Sequence, residues 1–166
     1  MQQQSLSKSL ALSGAVAAVV LAATMVGIHV PTFRLSFNLG EAAIYTAALL
    51  WGRKIAGPAG GIGAAIADLL SGSAVWAPIT FVVKSLEGYL AGSLAERAIA
   101  SQRRPGWTSL APAAAVMVVS YSLAAWLLYG KAAVLVEFPG DLLQVSLGGA
   151  IALTVARLAQ PGGTAR

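Results

Sequence analysis

Long apolar runs alternate with short polar interruptions bearing glycine or proline along almost the whole chain. The runs have the length of membrane helices rather than of strands. The first, 10–28, follows Lys8 and precedes a polar stretch, 29–40, that contains Pro31. A secretory signal peptide is the competing reading of that run, but its apolar core would span only about 7–15 residues. A shorter run, 41–51, is interrupted by Tyr45 and Thr46, after which Gly52, Arg53, Lys54 and Pro58 read as a turn. The run 59–70 is rich in glycine and alanine, carries Asp68, and stops at Ser71, Gly72 and Ser73. Runs over 76–98, 110–129 and 138–158 complete the pattern. It predicts an all-α fold, a six-transmembrane-helix bundle forming one membrane domain over 1–166. The second and third helices fall short of the roughly 20 residues that cross a bilayer, so each is expected either to include its flanking loop residues or to lie beside other helices rather than lipid.

Composition closes off other classes. The chain is 57% hydrophobic and 10% charged, with a mean hydropathy of +0.76, whereas a soluble domain devotes about a quarter of its residues to charge. It has no cysteine, which excludes a disulfide scaffold. The net charge of +5 is not arranged as a basic stripe with interleaved aromatics, so nucleic acid is not an expected partner. The positive residues instead fall between apolar runs. With six spans, Lys8, Arg53, Lys54, Arg97, Arg103, Arg104, Arg157 and Arg166 share one side, Arg34 and Lys131 take the other, and Lys84 lies within a span. The positive-inside bias then puts both termini in the cytoplasm of a multi-pass protein of a bacterial-type plasma (inner) membrane, with outer connections at 29–40, 71–75 and 130–137.

Ionised groups inside a span cost about 2.5–3.5 kcal/mol each on insertion scales, so they persist when paired or facing a polar cavity. Asp68 in the third helix and Lys84 and Glu87 in the fourth are of this kind. At about 1.5 Å per residue, Lys84 lies roughly 12 Å below Trp76 and Asp68 roughly 6 Å below its own helix end, a difference that a lysine spans. Asp68 is therefore the expected partner of Lys84, in a functional or a structural ion pair. Trp76, Thr80, Lys84 and Glu87 recur at spacings of four, four and three, on one helix face. The same outer half receives Asn38, Glu41 and Tyr45, then Ser120, Tyr121 and Trp126, then Gln144 and Ser146. Together they predict a cavity that opens outward, with aromatic rings for a flat solute and polar groups for its edge. Interfacial aromatic belts explain Trp76, Trp126 and Tyr129 equally well, but not the deeper Tyr45 and Tyr121.

Catalytic machinery is missing from the pattern. There is no GxxxxGK[ST] phosphate loop, so ATP would have to be hydrolysed elsewhere. A single histidine, His29, and no cysteine leave no metal-ligand cluster and no deep serine–histidine pair. No enzyme activity, cofactor or metal is expected. Small residues at four-residue spacing, Gly60 and Ala64, Gly88 and Gly92, and Ala11 and Ala15, predict close helix approach, mostly within the bundle.

The stretches FNLGEAAI at 37–44, LWG at 50–52, GPAGGIGAAIADLLSG at 57–72 and APITFVVKSLEG at 77–88 resemble the S components of energy-coupling factor (ECF) vitamin transporters. The resemblance covers roughly 10–160. It is specific in the middle third and topological in the last two helices, and Glu41 stands where many relatives carry aspartate. It implies a substrate-binding membrane subunit that captures a vitamin or precursor from outside and works with a transmembrane T component and two cytoplasmic ATPases, toppling in the bilayer to release the solute. It further implies that Ala11 and Ala15 meet the T component, and that the outer stretch 29–38 helps to close the site. The expected solute is a riboflavin-, pyridoxine- or hydroxymethylpyrimidine-like compound. The candidate substrate-binding residues are Asn38, Glu41, Tyr45, Asp68, Trp76, Thr80, Lys84, Tyr121 and Gln144, with Trp76 and Tyr121 stacking on the ring. The rival readings are a self-contained ion-coupled secondary transporter using Asp68 or Glu87, and a structural membrane protein that moves no solute.

Overall fold

A computed structural model describes residues 2–30 and 35–160. Pro31, Arg34 and Arg166, used above as a loop marker and as topology charges, lie outside the described residues. Among the described residues six helices follow one another: α1 (Gln2–Met25), α2 (Gly40–Trp51), α3 (Arg53–Leu70), α4 (Ala77–Ala100), α5 (Trp107–Tyr129) and α6 (Lys131–Ala159). Three of them, over Leu6–Met25, Trp107–Tyr129 and Lys131–Ala159, are long and apolar enough to cross a membrane. At about 1.5 Å per residue, α2 is only about 18 Å long, too short for a hydrocarbon core of about 30 Å. Its residues are instead mostly buried among the other helices, as its length predicts.

Several boundaries differ from the sequence pattern, each for a local reason. The expected turn around Pro58 is absent. α3 begins at Arg53 and carries the proline in its second turn, where one backbone hydrogen bond is forgone. The connection expected at 130–137 is helical, and the junction of α5 with α6 is Gly130 alone. Gly52 and Gly130 have φ of 76° and 86°, a left-handed conformation that glycine adopts without steric cost, so a single residue suffices to reverse the chain. Pro139, expected in the first turn of the sixth helix, is therefore interior to α6.

The first helix ends at Met25 rather than near 28, and the polar stretch after it is a two-stranded antiparallel hairpin, β1 (Gly27–Val30) and β2 (Leu35–Asn38). Its register pairs Gly27 with Asn38 and Val30 with Leu35. The strand β2 packs against α6 and α1, and the Leu39 N–H donates to the Ala23 carbonyl at 3.2 Å, tying the end of the hairpin back to α1.

The core is built from alanine, small glycine-lined contacts and a few large side chains such as Ile44, Leu110 and Met117. α3 and α4 form the tightest pair, with glycine facing backbone as the small-residue spacing predicts: a Cβ on Gly88 would lie 2.8 Å from the Ala56 carbonyl carbon. At the far end from the hairpin, Arg53 pairs with Glu96 at 3.4 Å. Arg104 and Arg157 meet there across a small cleft between α2, the α4–α5 link and α6. Those arginines, assigned above to one side, thus gather at one end of the bundle.

Candidate functional site

Glu41 enters from the first turn of α2, while Lys84 and Glu87 sit one turn apart on α4. The Lys84 ammonium donates to Glu41 Oε1, and to Glu87 Oε2 at 3.1 Å. The expected pairing with Asp68 is thus replaced. The reason is geometric: Glu87 is the i+3 neighbour on the same face, and the start of α2 directly faces Lys84. All three residues are buried. A charge so enclosed is stable only with its partners in place.

Hydrogen bonds extend this cluster in both directions. The Tyr45 hydroxyl donates to Glu87 Oε1 at 2.5 Å. On the other side, Gln144 Nε2 donates to Glu41 Oε1 at 2.8 Å, and the Asn38 N–H donates to Gln144 Oε1 at 2.9 Å. The chain of polar contacts therefore runs from the bundle core to the end of β2, linking α2, α4, α6 and the hairpin. Asn38 also accepts from the Gly40 N–H at 2.8 Å, which fixes the entry into α2.

Aromatic residues close one flank. The Tyr121 hydroxyl donates to Thr80 Oγ1 at 3.0 Å, and its ring centroid lies 5.2 Å from Lys84 Nζ. Trp76 stacks on Tyr121 at 6.0 Å and on Tyr129 at 6.1 Å, and its indole N–H donates to the Tyr129 hydroxyl at 3.1 Å. The tryptophan is buried, whereas Tyr129 is exposed.

These groups surround a cavity of about 60 Å³ at the hairpin end of the bundle. Seven of its lining residues are Asn38, Glu41, Asp68, Thr80, Lys84, Tyr121 and Gln144, drawn from six elements and all named from sequence. Tyr45 and Trp76 stand behind the wall instead, Tyr45 under Glu87 and Trp76 behind Tyr121. Trp126 and Ser146 are exposed on the outside of the bundle, and the Ser146 hydroxyl donates to the Leu142 carbonyl at 2.6 Å. Ser120 is half-buried and away from the cavity.

The sequence reading missed Glu137 and Asp141, which also line the cavity. With Gln144 they are spaced by four and three, one face of a helix. That signal was concealed by starting the helix at 138, which put Asp141 in its first turn and Glu137 outside. Ala64, expected only as a small packing residue, and Thr24 and Met117, which nothing in their sequence context marks, complete the missed wall.

Ala11 and Ala15 are far from this site. Both are exposed on α1, and a Cβ on the neighbouring Gly14 would meet nothing within 4 Å.

The family model described as "ECF-type riboflavin transporter, S component" matches residues 5–159. An uncharacterized protein of Pyrococcus woesei, encoded in the 3′ region of gap, is 34% identical over 131 residues, which cover 79% of this chain and 86% of that protein.

Proposed function

The chain belongs to the ECF-type riboflavin transporter S-component family, a family of membrane transport subunits and not of enzymes, and from that premise we propose that it captures a flat, ring-containing B-vitamin or precursor from outside the cell. Riboflavin-, pyridoxine- and hydroxymethylpyrimidine-like compounds are the candidates, the first favoured by the family description. In this reading all six helices lie in the plasma membrane with both termini in the cytoplasm. The gathering of Arg53, Arg104 and Arg157 at the end away from the hairpin supports that orientation. A transmembrane T component and two ATPases supply the driving force, and the exposed small residues Ala11 and Ala15 offer α1 to the T component.

The observation that carries the reading is the cavity itself: charged and amide groups from α2, α3, α4 and α6 converge with Tyr121 on one space at the hairpin end. A purely structural bundle has no need to aim so many polar groups at one void. Lys84, Glu41, Asp68, Asn38, Thr80 and Gln144 set polar contacts to the solute and Tyr121 stacks on its ring. Trp76 and Tyr45 hold the tyrosine and the ion cluster in place.

The cavity is smaller than the roughly 300–1,000 Å³ typical of ligand pockets and accommodates a few waters. A ring therefore enters by displacing part of the wall. The hairpin borders the site, where the Asn38 N–H donates to Gln144 Oε1.

Titration of the purified protein with a panel of B-vitamins and precursors, followed by tryptophan fluorescence, tests this reading. Trp76 beside Tyr121 is the expected reporter. Saturable quenching with submicromolar affinity for one ring compound is the expected result; no quenching and no binding by calorimetry across the panel would sink it.

A further inference from the structure

The end of the bundle away from the hairpin is strongly basic. Lys8, Arg53, Lys54, Arg97, Arg103, Arg104 and Arg157 belong to it. Glu96, already bonded to Arg53, is its one acidic residue among the described residues. Within this end lies a cleft of about 70 Å³, room for a few water-sized groups and so for a small anionic head rather than a folded segment of protein. Leu49 at the end of α2 and Leu153 and Ala156 of α6 line it with apolar surface, while Arg104 of the α4–α5 link and Arg157 of α6 bring positive charge to it. Leu153 and Arg157 are one turn apart on one face of α6, so the apolar lining passes directly into charge.

Arg157 is in the last turn of α6 and Arg104 is three residues before α5, at the same end of two helices long and apolar enough to cross a membrane. That is the level at which hydrocarbon gives way to lipid headgroups. Trp51 and Trp107, both exposed at this end, are residues of the kind that settles at that level. The Trp107 ring packs over Gly149, where a Cβ would lie 2.6 Å from it. Gly149 is one turn deeper than Leu153 on the same face of α6. Charge and apolar surface therefore follow one another along α6 in the order in which a phospholipid presents its phosphate and its chains.

We infer that this cleft seats an anionic phospholipid, its phosphodiester between Arg104 and Arg157 and its acyl chains passing Trp107 into the bilayer. Arg104 also engages a group within the protein, but a guanidinium has five N–H donors, and one engagement does not exhaust them. Guanidinium groups match phosphate oxygens in geometry as well as in charge. A zwitterionic lipid brings its own cation among the arginines and loses that advantage. Seating of the lipid needs only a chain that lies in a membrane, whatever solute it carries, and in the orientation proposed above the leaflet is the cytoplasmic one.

The test offers purified full-length protein in detergent equal amounts of phosphatidylglycerol and phosphatidylcholine and reads the retained lipid by native mass spectrometry. Each arginine close to an anionic headgroup contributes about a fivefold factor, so the wild-type protein is expected to retain phosphatidylglycerol about 30-fold over phosphatidylcholine. Arg104→Gln and Arg157→Gln are each expected to remove about fivefold of that preference. Arg103→Gln takes away the same charge one residue along, outside the cleft, and is expected to remove less than about twofold, as a solvent-screened charge does. Equal retention of the two lipids by the wild-type protein, or equal losses in all three variants, overturns the seated lipid. Inorganic phosphate and glycerol phosphate, which carry no acyl chains, form the second arm: binding as tight as that of the lipid makes the cleft a free-anion site and overturns the proposal. Loss of co-expressed T component from Arg157→Gln with phosphatidylglycerol retained at the wild-type level makes it a protein contact and overturns it likewise. The wild-type comparison and the chain-free anions decide even where a variant does not fold.

Discussion

Lys84 of α4 donates to Glu41 of α2 in the interior of the bundle, with both residues at least nine-tenths buried. Two helices remote in sequence are thus joined by opposite charges, and Glu87 makes the pair a triad. The desolvation of such a group is recovered only while all members are present. Lys84→Met is expected to leave Glu41 and Glu87 facing one another without compensation and to cost about 3–5 kcal/mol. Adding Glu41→Gln should recover part of that loss. Thermal unfolding in detergent checks both, and equal midpoints for the wild-type and Lys84→Met proteins would contradict the buried triad.

Tyr45 separates stability from binding. Its hydroxyl donates to Glu87 at 2.5 Å while its ring is fully enclosed away from the cavity wall. Tyr45→Phe removes a hydrogen bond to a charged acceptor, a loss of about 1.5–3 kcal/mol. Solute affinity, measured by calorimetry on the folded variant, should not change. A large fall in affinity with unchanged stability would mean that Tyr45 touches the solute.

Tyr121 behaves in the opposite way. The ring lines the cavity and the hydroxyl holds Thr80 at 3.0 Å. Tyr121→Phe keeps the stacking surface and should retain most of the affinity. Tyr121→Ala deletes the stacking partner of both solute and Trp76. Aromatic pairs contribute about 0.5–1.5 kcal/mol beyond buried area, so the alanine variant should bind about tenfold more weakly and shift the tryptophan emission to the red. Calorimetry and emission spectra distinguish the two substitutions.

These three residues show which information a single sequence carries. The spacing of Thr80, Lys84 and Glu87 put them on one face because helix periodicity is a local property, and they are indeed buried together. The partner of Lys84 was not legible, because depth along two helices does not determine which helices touch. The depth argument singled out Asp68, and tertiary packing instead brought Glu41, from the first turn of α2, onto Lys84. Asp141 was lost with the boundary, since the apolar run begins at 138 whereas α6 begins at Lys131. The hairpin escaped notice because each strand has only four residues within a stretch containing Pro31, too short for periodicity to register.

The close approach of α3 and α4 makes Gly88 sensitive to the smallest addition. A Cβ there would lie 2.8 Å from the Ala56 carbonyl carbon, and main chain cannot swing aside as a flexible side chain can. Gly88→Ala is expected to force the two helices apart and cost about 1–3 kcal/mol, as overpacking does elsewhere. The helix propensity of alanine would favour the substitution by roughly 1 kcal/mol, so an observed loss isolates the packing term. A variant more stable than wild type would show that the helices separate freely.

Ala11 and Ala15 carry the last prediction, because their exposure lets partner binding be separated from folding. Both lie on the outward surface of α1, where nothing in the bundle covers them. Substitution to tryptophan at either position should therefore leave stability within about 0.5 kcal/mol and solute affinity unchanged. A flat strip of small side chains lets a neighbouring helix approach closely in lipid, and a bulky ring removes that approach. Co-expressed T component should co-purify with the wild-type protein and be lost from Ala11→Trp and Ala15→Trp, and uptake into cells should fall with it. Retention of the T component by both variants would place the contact on another face of the bundle.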